Sequence, residues 1–187
     1  WEEVGADAVV ASGIESGGHR GTFIGAQEDA TLQARVLWPK VARAVEIPVI
    51  AAGGIMTGID INEALVAGAK AVQMGTAFLV CDESGITPEY KFRLINAGDT
   101  PTRLTRAFSG RYARGLENRF MKQLEHVEKQ LPAYPVQNAL TTPIRAAAAA
   151  KGDTELMSLW AGAEVRRARA MPAAKLMQTL IAEMRTE

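Results

Sequence analysis

Three short, almost unbroken apolar runs, at residues 7–11, 48–52 and 71–74, govern what this chain can fold into. Each has strand length, and each runs into a glycine turn: Ser12-Gly13, Gly53-Gly54 and Gly75. A strand that is apolar throughout belongs in a parallel sheet covered on both faces. Helical patterns fill the gaps. Leu32, Val36, Leu37, Val41 and Val45 recur at helical spacing, and a second helix is expected over 60–67, stopped by Gly68. The order strand, helix, strand, helix, strand calls for right-handed crossovers in an α/β fold. The 48–74 unit is compact enough for a (βα)8 TIM barrel, whose functional groups sit on loops after strand C-termini. A doubly wound sheet is the other arrangement the pattern allows.

Three strands cannot close a barrel. Trp1-Glu2-Glu3-Val4-Gly5 reads as the end of a helix, so the first barrel strands are expected upstream of Trp1. Residues 1–80 are therefore read as the C-terminal part of a barrel and 81–187 as a helical C-terminal region packed on it. No strand pattern is evident after Ala77. Thr87-Pro88-Glu89 is a helix start, with a cap, Pro at the first position and an acid in the first turn. That helix is expected to stop near Gly98. Further helices are expected over 114–131, from Thr142-Pro143 through the alanine run 146–150, near 154–161, and over 172–185.

Composition excludes several classes. Lys and Arg total 21, as do Asp and Glu, so neither nucleic acid nor another polyanion is an expected partner. Cys81 is the only cysteine, which rules out an internal disulfide or a cysteine metal cluster and suits a reducing cytoplasm. No apolar run is long enough to span a membrane.

The candidate chemistry lies in Gly13-Ile14-Glu15-Ser16-Gly17-Gly18-His19-Arg20-Gly21, a glycine-rich loop after the first strand. Histidine can exchange protons near neutral pH. Its position at the functional rim of a parallel sheet makes His19 the candidate base. The loops at Gly53-Gly54-Ile55 and Gly75-Thr76 share that rim, and their backbone N–H groups suit a phosphate. Arg20 and Arg111 are candidate anion contacts, and Ser109 is a candidate hydrogen-bond donor to a ligand. His126 stands in a charged segment and reads as solvated surface. No second histidine lies at ligand spacing from His19, so no metal site is expected.

These segments carry a resemblance. Glu15-Ser16-Gly17-Gly18-His19-Arg20-Gly21, Pro48-Val49-Ile50-Ala51-Ala52-Gly53-Gly54-Ile55 and Gln73-Met74-Gly75-Thr76-Ala77-Phe78-Leu79 resemble, in order and spacing, the nitronate monooxygenases, once called 2-nitropropane dioxygenases. Thr105-Arg106-Ala107-Phe108-Ser109-Gly110-Arg111 and Tyr134-Pro135-Val136-Gln137-Asn138 look like that family's C-terminal part. The resemblance implies an FMN-dependent TIM-barrel flavoprotein that oxidises alkyl nitronates with O2 to a carbonyl compound and nitrite. It implies His19 as the base that takes the α-proton of a neutral nitroalkane. It implies FMN contacts at Ser12, Gly17, Gly18, Gly53, Gly54, Gln73, Met74, Gly75 and Thr76, with Ser109 and Arg111 toward the substrate. Two positions depart from the family. Ser12 stands where a glutamine is usual, and Ala163 follows Trp160-Ala161-Gly162 where another glutamine is usual. Both are expected to thin the polar contacts around the ring and substrate.

Two other functions fit the same residues. An FMN enoyl-thioester reductase using NAD(P)H has a similar Gly-Gly-His loop. A non-catalytic flavin-binding or remnant domain could act only within a larger assembly, with the upstream barrel segment as its partner. The natural nitronate and the oligomeric state stay open.

Overall fold

The structure is a computed structural model that describes residues 1–22 and 25–185. Among the described residues, the three apolar runs form the strands β1 (Val9–Ser12), β3 (Val49–Ala52) and β4 (Ala71–Gln73). They make one parallel sheet in the order β1-β3-β4. Helix α1 (Ala34–Ala44) connects the first pair and α2 (Gly58–Val66) the second.

Alternation decides what this sheet does. Ala11, Val49 and Ala51 are buried in a core with Trp38 of α1, Ile61 and Ala64 of α2, and Leu176 and Leu180 of α7 (Ala173–Met184). Trp38 also donates its indole N–H to the Ala52 carbonyl at 3.2 Å. The other face is not covered in this way: Val10 is 44% exposed, and Ala71 and Gln73 are exposed. The sheet is thus covered on one face only, unlike the two-sided burial expected of its continuous apolar runs. Register places Ser12 opposite Ala52, and Ala52 opposite Gln73. These three residues form one row at the C-terminal ends of the strands, on the less covered face.

The largest correction concerns the region after Ala77, which is not purely helical. Strands β5 (Thr102–Thr105) and β6 (Ala113–Leu116) pair antiparallel, and β6 pairs with a short strand β2 (Gly18–His19). These strands carry few apolar residues. Arginines fasten them instead. Arg114 donates to the carbonyls of Ile14 and Thr102, and Arg103 faces Glu117 and Glu125. No apolar run therefore marks them in the sequence.

The expected helix over 114–131 is accordingly β6 followed by α5 (Arg119–Leu124) and a 3-10 turn, Glu125–Gln130. The expected helix near 154–161 is a turn over 154–157 followed by an extended segment beside β6: Leu116 N–H donates to Leu159 O, and Gly115 bridges to Trp160. Helix α6 (Val136–Ala150) begins before Thr142-Pro143 and carries Pro143 in its interior. Its first turns are held from outside, because Gln137 donates to Ala107 O and Thr141 to Phe108 O. Tertiary contacts thus override the local signal of a proline. Thr87 does cap α4 (Pro88–Ile95), accepting from Tyr90 N–H. The four-residue α3 (Thr76–Leu79) follows β4 directly.

One carboxylate links these parts. Asp60, only 3% exposed, accepts from the N–H groups of Met56 and Thr57 and forms a capping box with Thr57 at the start of α2. It also pairs with Arg35 of α1 at 2.9 Å and with Arg167 at 2.8 Å.

Candidate active site

The loops after β1, β3 and β4 converge on one cleft of about 440 Å³. Ser12, Gly17, Gly18 and His19 line it from the first, Gly53 and Gly54 from the second, and Gln73, Met74, Gly75 and Thr76 from the third. The structure therefore brings together all the sequence-derived base and cofactor candidates. A fourth wall comes from far along the chain: Tyr90, Trp160, Gly162 and Glu164.

Close backbone approach explains Gly17. A Cβ on Gly17 would lie 2.6 Å from the Ala161 carbonyl carbon and the Gly162 nitrogen. Gly162 in turn donates its N–H to Thr76 Oγ1 at 2.9 Å, and Ala163 N–H donates to Glu15 O. The 161–163 backbone is thus clamped between the first and third loops. Gly17→Ala is expected to force these segments apart and cost about 1–3 kcal/mol, as overpacking does. A thermal melt checks this, and an unchanged midpoint would contradict it.

Gly53 and Gly54 occupy the left-handed region, with φ of 103° and 72°, which favours glycine. The N–H groups of Gly54 and Gly75 donate to no described group, leaving them available to a ligand oxygen. The start of α2 is not available in this way. Met56 and Thr57 donate to Asp60, and Gly58 donates to Glu183 at 2.7 Å.

His19 is not on a free loop tip. It pairs with Ala113 across β2 and β6, and the next residue, Arg20, donates its N–H to Tyr112 O. Its Nε2 lies 2.8 Å from Ser109 Oγ. Ser109 Oγ also donates to Arg111 O at 3.0 Å and accepts from Arg111 N–H. A hydroxyl has one proton to give. The direction of that one O–H sets which ring nitrogen of His19 carries the hydrogen. Burial first, and then the charges of Arg111 and Arg145, lower the His19 pKa below 6.5. The imidazole is therefore neutral near pH 7, the state a base requires.

The remaining candidates have other duties. Arg20 is buried, and its guanidinium donates to Gly13 O at 2.6 Å and to Ser12 O at 3.2 Å. It braces the loop and is not free to meet an anion. Arg111 donates to the carbonyls of Arg20 and Thr22 and lies outside the cleft lining, where it acts on His19 through its charge. Ser12 Oγ donates to Ser16 Oγ at 2.8 Å, so Ser16 holds the hydroxyl proton this pair can offer. His126 is exposed. Sequence reasoning missed Tyr90, Arg145 and the lining role of Ser16 and Glu164. Ser16 stands inside the first glycine loop, whereas Tyr90, Arg145 and Glu164 have no local signature and reach the site only through tertiary packing.

A family model described as "Nitronate monooxygenase" matches residues 1–183. A probable nitronate monooxygenase of Staphylococcus aureus (strain Newman) is 44% identical over 181 residues, covering 96% of this chain and 51% of that protein. Among solved structures, nitroalkane oxidase from Streptomyces ansochromogenes is similar at a TM-score of 0.91 with 49% identity, over 98% of this chain and 53% of that one. FabK from Thermotoga maritima is similar at a TM-score of 0.80 with 35% identity, over 98% and 56%. The chain spans about half the length of the curated relatives it matches.

Proposed function

The chain belongs to the nitronate monooxygenase family, and from that premise we propose that its cleft serves the FMN-dependent oxidation of alkyl nitronates and nitroalkanes by O2 to a carbonyl compound and nitrite. The observation that carries this reading is a neutral histidine in a glycine-lined cleft, with two nearby cations that favour an anion beside it. FMN, when bound, supplies the redox chemistry. The cleft suits it: Gly54 and Gly75 offer unspent N–H donors for its phosphate, and Ser12, Gly17, Gly18, Gly53, Gln73, Met74 and Thr76 line the space around them.

The residues of this chain then do the following. Ser109 holds His19 through Nε2. The unprotonated ring nitrogen of His19 takes the α-proton of a neutral nitroalkane. Arg111 and Arg145 stabilise the nitronate that forms, and the same charges lower the His19 pKa. The parallel sheet is read as three strands of a (βα)8 barrel. Its open outer edges and half-exposed face await the strands that would close it, and an upstream barrel segment is the proposed partner. Residues from 81 onward are read as a region packed on the barrel.

The pH dependence has a definite sign. His19 acts as a base only when unprotonated. For neutral nitroethane, kcat/KM is expected to rise with pH through a value below 6.5 and then level off. Pre-formed ethyl nitronate needs no proton abstraction and should lack this limb. A limb centred above 6.5, or one shared by both substrates, would contradict the assignment.

The likeness to FabK favours a second reading, an FMN enoyl-thioester reductase using NAD(P)H. Anaerobic bleaching of bound flavin by NAD(P)H would support it. A non-catalytic flavin-binding role would be supported if the chain held FMN only when co-expressed with the proposed barrel partner and nitronate oxidation remained absent.

A further inference from the structure

We infer that Trp160 fixes the size of the alkyl group accepted beside His19, making it a specificity-determining residue of the site. This rests on the nitronate reading given above. The indole lies edge-on to the imidazole with ring centroids 5.4 Å apart, at an interplanar angle of 61°. That is contact distance for two rings, so nothing fits between them. Substrate must reach the base from the side the indole leaves open. A carbon close enough to His19 to lose a proton stands about 3–3.5 Å from the nitrogen. Both rings line the same cleft, so the alkyl substituent of that carbon extends beside Trp160.

Trp160 cannot retreat from that substituent. Behind it Phe108 is fully buried and meets the indole T-shaped at 5.4 Å. Phe108 is itself stacked on Phe120 at 4.7 Å. The Trp160 backbone is held as well. Its carbonyl accepts from the Tyr90 hydroxyl at 2.7 Å, and its bridge partner Gly115 has no room for a Cβ, which would lie 3.0 Å from the indole. Burial pushes the Tyr90 phenol up, so it stays protonated and keeps donating. The indole N–H donates to no described residue, so no hydrogen bond is lost when the ring is replaced.

The experiment compares wild type, Trp160→Phe and Trp160→Ala across the nitronates of nitroethane, 1-nitrobutane and 1-nitrohexane. The ratio of kcat/KM for the six-carbon to the two-carbon substrate is expected to rise about tenfold or more in Trp160→Ala, with Trp160→Phe between, since one methylene in a fitted apolar pocket is worth about 10–200-fold. An equal fall for all three substrates would overturn the inference. Binding gives an independent readout. Propionate, pentanoate and heptanoate carry an unreactive planar carboxylate in place of the nitronate group on chains of matching length, and calorimetric titration should show preference moving to the longer chain in Trp160→Ala. An unchanged order of affinities would also overturn it. If no variant and no wild-type protein oxidised any nitronate, the nitronate reading would fail, while the carboxylate series would still test the wall.

Discussion

Replacing His19 with asparagine is expected to leave a flavin-holding protein that still oxidises pre-formed alkyl nitronates but turns over neutral nitroalkanes about 10²–10⁴-fold more slowly, the usual worth of a positioned base. The expectation follows from geometry and charge together. His19 is fixed on β2 by its pairing to Ala113, its Nε2 is engaged by Ser109, and burial with two cations keeps it neutral. Asparagine preserves the strand and can still reach toward Ser109, but it cannot take a proton at neutral pH. Parallel assays with nitroethane and its nitronate make the check. Equal rates of wild type and variant on nitroethane would remove His19 from the role of base.

The second large effect is on stability. Asp60→Ala removes the acceptor for Met56 and Thr57 N–H at the start of α2 and leaves Arg35 and Arg167 without their shared carboxylate. Breaking a buried pair from one side typically costs about 3–5 kcal/mol. Asp60 is nearly inaccessible, but both arginines are partly exposed. The expected loss is therefore at the low end, about 3 kcal/mol, or roughly 10 °C in Tm for a chain of this size. The pH dependence has a matching sign. Burial alone would raise the Asp60 pKa, but the hydrogen bonds from Met56 and Thr57 and the ion pair with Arg167 outweigh it and hold it below 3.8. A depressed carboxyl contributes stability that is complete above the ordinary value and lost as pH falls through the folded-state value. Wild type should lose this contribution below pH 3.8, whereas Asp60→Ala should lack that component of its acid limb. Melts agreeing within about 0.5 kcal/mol, the usual range for a neutral surface change, would contradict the account.

The same carboxylate shows why fold and site are coupled here. Arg167 lies a few residues after Trp160 and Gly162, so the pair with Asp60 ties the fourth wall of the cleft to the start of α2. Loosening Asp60 should therefore disturb the cleft as well as the core.

The parts of this architecture that were legible in the sequence are those with strong local patterns. The runs that became β1, β3 and β4 are apolar because one face of each packs on α1, α2 and α7. Thr87 announces α4 because a side-chain cap and Pro at the first position act within one turn. The glycine loops were legible as a shared rim because parallel strands put their C-termini together.

The illegible parts depend on distant partners. β5 and β6 present arginines, not an apolar face, and Arg114 of β6 reaches back to Ile14 beside β1. His19 reads as a loop residue because its strand is two residues long and exists only where β6 lies beside it. The helix across Pro143 needs Ala107 and Phe108 to hold its first turns. Gly17 reads as a ligand contact, yet its missing Cβ also makes room for the 161–162 backbone. Trp160 reads as one more large apolar residue, and only the packing of Phe108 behind it and His19 before it reveals a wall.

The central claim is that the three glycine loops and His19 form a flavin site for nitronates. It is tested most directly by adding propyl nitronate to the FMN-loaded protein without NAD(P)H and following oxygen and nitrite. The account predicts oxygen uptake with stoichiometric appearance of the carbonyl product and nitrite. A protein that holds FMN, leaves the nitronate untouched and is bleached anaerobically by NAD(P)H would contradict it.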